Sequence, residues 1–175
     1  TKGTTSVKVN KMQIKGEVKA IMDRGILSSS AEFYGVTDYL GNHYYPYADD
    51  TGTIVAAKVR NVENKDFRVE GAWAKATLFG QQKFQKGGKF VTIVEGELDA
   101  LAAFQMTGSK YPVVSVRNGA AAALKDCKAQ YEWLDSFETI VVCFDADEPG
   151  KKAAQEVAEL FGSKCKIFKA SNGYK

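Results

Sequence analysis

From Phe90 to Phe168 the chain alternates short apolar runs with longer segments of helical spacing. Phe90–Val94, Val113–Val116 and Thr139–Phe144 are almost continuously hydrophobic over the length of a strand, and Lys166–Phe168 is a shorter run of the same kind. Between them, Leu98–Met106, Ala120–Leu134 and Pro149–Phe161 repeat apolar residues every three or four positions, as helices with one buried face do. Strands that are apolar at every position are buried on both faces, and strands alternating with helices build a parallel sheet covered by those helices. The first half has another texture. Met12, Ile14, Val18, Ile21 and Met22 predict a short amphipathic helix over Met12–Asp23 that ends near Gly25, and Ser28 is placed to cap a second one reaching Tyr34 before Gly35. A hairpin follows (Val36–Leu40 and Tyr44–Ala48 around Gly41-Asn42), then a turn at Asp49–Gly52 and strands over Thr53–Arg60 and Phe67–Glu70. The pattern divides the chain into a polar linker over residues 1–12, a small α+β lobe with an antiparallel sheet over 13–88, and an α/β lobe with a parallel sheet flanked by helices over 89–175.

In a parallel α/β sheet the functional groups collect beyond the carboxyl ends of the strands. The first apolar strand runs into Glu95-Gly96-Glu97-Leu98-Asp99 and the third into Asp145-Ala146-Asp147-Glu148-Pro149-Gly150. Glu95 stands where the strand stops, Asp99 falls in the first turn of the next helix, and an extended chain puts Asp145 and Asp147 on one side. Two strand ends therefore deliver four carboxylates to one rim. Such acids repel unless they share protons or bind cations. Hard oxygen donors without His or thiolate point to Mg²⁺, or Mn²⁺, rather than zinc. Asp147, Glu148 and Glu97 also fit as acids favoured by a helix N-terminus.

Charge sharpens this picture. Residues 58–89 carry eight basic side chains against Glu63, Asp66 and Glu70, while residues 90–175 are slightly acidic. A basic strip beside an acidic lobe suits a protein that grips a polyanion with one part and metal ions with the other, although a solvated surface strip has the same composition. The three scattered cysteines and the single histidine exclude a disulfide framework, a zinc module and a Ser-His triad. No apolar run is long enough to span a bilayer and Thr1–Asn10 lack a signal-peptide core, so the expected location is the cytoplasm, with no membrane partner.

The two acidic motifs resemble the Toprim fold shared by bacterial-type primases, topoisomerases and related nucleases. Around them, Tyr111–Val116, Asn118-Gly119-Ala120 and Phe144–Lys152, with Arg24-Gly25-Ile26, Lys58-Val59-Arg60, Asp66-Phe67 and Leu78-Phe79-Gly80 earlier in the chain, resemble the bifunctional primase-helicases of short-tailed bacteriophages. That resemblance implies the RNA polymerase domain of a primase, which joins ribonucleoside triphosphates into a short primer on single-stranded DNA. It implies Glu95 as the essential acid (metal ligand or general base), Asp145 and Asp147 as Mg²⁺ ligands, and Asp99 in support. Lys58 and Lys65 correspond to family lysines expected at nucleotide phosphates. Arg60 and Arg68 are further basic candidates for template or nucleotide contact, and Arg117-Asn118-Gly119 is either a phosphate-binding turn or a plain strand-to-helix connection. The relatives add a zinc-binding module that reads the template and a hexameric helicase. Neither a zinc motif nor a Walker A motif occurs here, and a further acid of the family's site would fall past Tyr174-Lys175, so an excised polymerase domain is expected. A Toprim nuclease and a non-catalytic Toprim module for DNA binding or assembly are the competing readings.

Overall fold

A computed structural model describes residues 11–169. Most of the linker and the segment beyond Lys169 lie outside the described residues. Eight strands form two four-stranded sheets. The first is an antiparallel meander of β1 (Thr37–Tyr39), β2 (Asn42–Ala48), β3 (Ile54–Asn61) and β4 (Phe67–Gly71). The second is parallel, with β5 (Phe90–Val94), β6 (Val113–Ser115), β7 (Thr139–Cys143) and β8 (Cys165–Ile167) in the order β6-β5-β7-β8. This is the helix-flanked parallel sheet, preceded by a small α+β lobe, that the sequence pattern predicts.

Alternation along the parallel strands makes two cores. Val91, Ile93, Ile140 and Val142 face one side, where α3 (Ala123–Ala129) and α5 (Glu148–Phe161) pack. Val94 and Cys143 face the other, against α2 (Glu97–Met106). The helix α1 (Ser28–Tyr34) packs on α2, and the α2 core also takes in Tyr45, Tyr47 and Phe79, so the two sheets share hydrophobic interior. Polar links reinforce the junction. Tyr34 donates its hydroxyl proton to the carbonyl of Val113 (2.7 Å), Phe79 and Ser115 exchange backbone hydrogen bonds (2.9 and 3.1 Å), and Gln105 Oε1 accepts from the amide of Leu27 (2.8 Å).

The amphipathic helix expected over Met12–Asp23 does not form. Only Met22–Arg24 make a single 3₁₀ turn, and the preceding residues run extended, with Glu17 bridging Asp38 and Met12 and Ile14 packed against Tyr44, Ala57 and Val59. Gly16 explains this. Its φ of +94° is left-handed, and a Cβ there would sit 2.4 Å from the carbonyl oxygen of Asp38, so the chain is built to hug β1 rather than coil. The expected cap also shifts: Leu27 occupies the N-cap of α1 without a side-chain cap. The helix expected over Ala120–Leu134 is broken into a 3₁₀ turn, α3 and a short α4 (Tyr131–Asp135) around Gln130, whose amide oxygen accepts from Gln81 Nε2 (2.9 Å). Among the described residues no helix is long and apolar enough to cross a membrane. The three cysteines are free, and burial pushes the Cys127 thiol up to about 12.

Candidate active site

The strand order reverses between β5 and β7: the chain leaves β5 for β6 on one side and returns to β7 on the other. Crevices at such reversals, beyond the carboxyl ends of the strands, are where open α/β sheets bind ligands. Val94 is in register with Cys143, so Glu95 and the Phe144-Asp145 segment leave adjacent strands side by side. The amide of Asp145 donates to Glu95 Oε1 at 3.0 Å. Glu95, Glu97, Asp99 and Asp145 line a cavity of about 180 Å³ together with Arg24, Tyr45 and Arg60. Carboxylates from the parallel lobe and two guanidinium groups from the preceding lobe thus share one cavity.

The electrostatics of the acids follow first from burial and then from their proximity. Glu95 is pushed up to about 7, first by desolvation and then by the charges of Asp145 and Asp147. Asp99 is raised as well, by desolvation and by Asp145. In the unfolded chain Glu95 returns to its ordinary value of 4.5, below its folded value. The folded state therefore holds this proton more tightly, and the stability it contributes is complete below the unfolded value and lost as pH rises through about 7. In chelator, the melting temperature of Glu95→Gln should gain on wild type between pH 5 and 7.5. A constant difference across that range contradicts the assignment.

Asp147 behaves differently from the expectation that it shares a side with Asp145. The chain bends after Asp145, and Asp147 becomes the N-cap of α5, with Oδ1 accepting from the amide of Gly150 at 2.8 Å. It adds charge to Glu95 without lining the cavity. Gly150 is a residue that sequence reasoning passed over. A Cβ on it would lie 2.2 Å from the carbonyl oxygen of Asp145 and 2.7 Å from Glu95 Oε1, so this close approach of helix to strand end requires glycine. Gly150→Ala should cost about 1–3 kcal/mol by overpacking, read by denaturant unfolding. An unchanged midpoint refutes the tight contact.

The basic candidates separate into distinct groups. Arg60 lies on the cavity wall. Lys58, two residues earlier on the same face of β3, is buried, and its Nζ is 2.5 Å from Glu97 Oε1. Glu97 also accepts from the Tyr47 hydroxyl at 2.7 Å, and Lys58 Nζ donates to the carbonyl of Arg117. Any nucleotide contact by Lys58 requires breaking this pair. Arg68 stands opposite Val59, on the face turned away from the cavity, and pairs with Glu70 at 3.1 Å. Lys65 is exposed in the β3–β4 loop with a left-handed φ of 63°. Arg117 is turned inward. Its amide and Nε donate to the two oxygens of buried Asp126 (2.7 and 3.2 Å), and Nη1 donates to the carbonyls of Trp73 and Ala76. Asn118 and Gly119 stay on the rim at the end of β6 without lining the cavity.

Sequence reasoning also missed Arg24, Glu97 and Asp126 as parts of this region. Arg24 and Glu97 stood within the quoted motifs, whereas Asp126 gave no local signal. Among the described residues no three His, Cys, Asp or Glu side chains already converge as a metal shell. The donor set nevertheless fits a hard divalent cation: it is all carboxylate oxygen, and Glu95 and Asp99, raised first by burial and then by the neighbouring Asp145 charge, carry a repulsion that a cation relieves.

Comparison with known proteins bears on the fold and the family. A Toprim-like family pattern matches residues 92–174. Over 114 residues, 65% of the chain, the sequence is 43% identical to the DNA helicase/primase of Enterobacteria phage T3, of which it spans 20%. The primase fragment of the bacteriophage T7 primase-helicase superposes with a TM-score of 0.81 at 37% identity, over 89% of this chain and 66% of that one. The matched chain in a T7 complex, where the lagging-strand DNA polymerase meets primase domains bound to an RNA/DNA hybrid and dTTP, gives 0.77 at 36% identity, with 81% of it covered. The E. coli primase catalytic core, 13% identical with a TM-score of 0.65, shares the fold. With more than a third of residues identical across four fifths of that T7 chain, this protein belongs to the family of bifunctional phage primase-helicases and forms its Toprim-bearing primase part.

Proposed function

We propose that this chain is the nucleotidyl-transfer domain of a DNA primase, which makes short RNA primers from ribonucleoside triphosphates on single-stranded DNA. The observation that carries the reading is the pairing of Glu95 with Asp145 across a strand-order reversal, in one small cavity shared with Arg24 and Arg60. Nucleotidyl transfer needs this separation of roles. Carboxylates handle the attacking hydroxyl and the cation, while guanidinium groups hold phosphate charge in place. Glu95 and Asp145, with Asp99 beside them and Asp147 reaching in with the carboxylate oxygen its helix cap leaves unused, would hold Mg²⁺ or Mn²⁺, which would neutralise charge on the transferring phosphoryl group and activate the attacking oxygen. Glu95, pushed up to about 7, is poised to take the proton of a primer 3′-hydroxyl near neutral pH. In this reading Lys65, Asn118 and Gly119 would contact the incoming chain.

In the whole protein this domain is fused to a hexameric helicase and a zinc-binding template reader and works in the host cytoplasm. The T3 relative's name, DNA helicase/primase, supports the helicase half of that arrangement.

Primer synthesis tests the proposal. Labelled ribonucleotides, single-stranded DNA and Mg²⁺ are supplied with and without a presynthesised dinucleotide that bypasses initiation. Wild type should yield oligoribonucleotides, and Glu95→Gln and Asp145→Asn should each reduce the yield at least a hundredfold, on the order of the loss when one essential polar group of a transition-state site is removed. Degradation of the DNA with metal alone, without ribonucleotide incorporation, assigns a nuclease instead. No product under any condition, with DNA still bound, assigns a binding module.

A further inference from the structure

The antiparallel sheet turns one face toward the carboxylate cavity, and that face is built in cross-strand rows. Residues directly opposite one another in an antiparallel sheet project to the same side. One row runs Tyr45, Lys58, Val69 and another Asp38, His43, Arg60, Phe67. Tyr45 and Lys58 are buried beneath the parallel lobe, but the outer end of the sheet is open: Phe67 is 58% exposed and Val69 42%. Both belong to β4, an edge strand.

A large aromatic residue left this open on a strand edge is a liability unless something covers it. Phe67 also has a cationic partner on one side. Lys58 Nζ lies 5.4 Å from its ring centroid and is itself anchored by Glu97, so a cation holds one side of the ring while the rest faces solvent. Its neighbour in the row is Arg60, which lines the cavity holding Glu95 and Asp145. Arg60 Nε is buried without a hydrogen-bond partner among the described residues. Beyond Phe67 the β3–β4 loop presents Lys65, and the segment from Lys58 to Lys89 carries the chain's positive excess. An exposed, oriented aromatic ring beside a guanidinium, continuous with a phosphoryl-transfer cavity and set in a basic strip, has the chemistry of a stacking platform for a single-stranded polynucleotide.

We propose that Phe67 stacks against a base of the single-stranded template, with Arg60 holding an adjacent phosphate, so that the strand is led across the outer end of the antiparallel sheet into the carboxylate cavity. This rests on the primase reading for the identity of the strand, but the contact is measurable without nucleotides, metal or turnover. The occupant is a strand rather than a free nucleotide because the platform is open at the sheet edge and extends past the cavity toward Lys65.

Binding of a fluorescent single-stranded oligodeoxynucleotide, followed by anisotropy across a salt series, separates the parts of the proposal. Phe67→Leu keeps an apolar side chain on the strand and removes the π face. Its affinity should fall about 5- to 150-fold, the range for losing one stacked base, with the salt slope unchanged. Phe67→Trp should bind at least as tightly as wild type. Arg60→Ala should weaken binding and flatten the slope by roughly the 0.7 expected for one phosphate on a single strand. Melting curves of each variant confirm that the fold is kept. If Phe67→Leu binds the oligonucleotide like wild type at every salt concentration, the platform is refuted. It is equally refuted if the substitution weakens only the binding of Mg-ATP. Either failure leaves the primer-synthesis test untouched, and loss of primer synthesis in wild type would leave the stacking result standing.

Discussion

Lys58→Met should destabilise the protein by about 3–5 kcal/mol, the cost of leaving the partner of a buried ion pair without its counter-charge. Only 6% of the Lys58 side chain and 4% of that of Glu97 are exposed. The loss is larger than for a surface pair because Glu97 is enclosed by Tyr47 and the start of α2, and water cannot replace the ammonium group. The pair also spans the molecule. Lys58 comes from the antiparallel sheet and Glu97 from the turn that carries Glu95 and Asp99, so it fixes the acids against the lobe that carries Arg24 and Arg60. Lys58→Met/Glu97→Leu should recover much of the stability, since a buried pair exchanged for packed apolar groups is often neutral. Denaturant unfolding decides the matter. A lysine whose main task is to grip nucleotide phosphate leaves the unfolding midpoint in place when removed and raises KM alone, and that outcome would falsify the positioning role.

Arg117→Ala should cost about 3 kcal/mol, toward the lower end of the same range. Asp126, with 1% of its side chain exposed, loses the Nε donor but keeps the amide of residue 117, which moderates the penalty. The carbonyls of Trp73 and Ala76 lose a donor at the same time, and the Trp73 ring loses a guanidinium 5.4 Å from its centroid. Arg117→Lys should not restore the stability, because one ammonium group cannot serve a carboxylate and two carbonyls with the planar fork of arginine. Lys58 Nζ bonds the Arg117 carbonyl, so the two ion pairs are neighbours, and their effects should not add in the double variant. A melting temperature of Arg117→Ala equal to wild type would return Arg117 to the list of free phosphate contacts.

These two residues mark the boundary between what the chain announces and what packing settles. The parallel lobe was legible because its signals are local. β5, interrupted only by Thr92, and the bulk of β7 are apolar runs, α5 is capped by Asp147 with Pro149 in its first turn, and the acids follow closely on the strands they terminate. The antiparallel meander was legible for the same reason, through alternation and turn residues. The segment before Arg24 was not: four of its five apolar residues at helix-compatible spacing serve an extended chain, because Gly16 lets the backbone approach Asp38 and Met12 and Ile14 find partners on β2 and β3.

Charge shows the limit most clearly. The sequence by itself determined which residues are basic, which are acidic, and that Glu95 and Asp145 end strands of one parallel sheet. Only the tertiary structure decided what each charge does, because that depends on partners far away in the chain. Glu97, within the acidic motif, turns inward to Lys58, while Asp147 bends back to cap its own helix. Arg117 closes on Asp126, whereas Arg24 and Arg60, more than thirty positions apart, line one cavity. A charged side chain is stable in the interior only beside its complement and on the surface almost anywhere. Its role is therefore set by the pairing of two sheets, which no local pattern encodes.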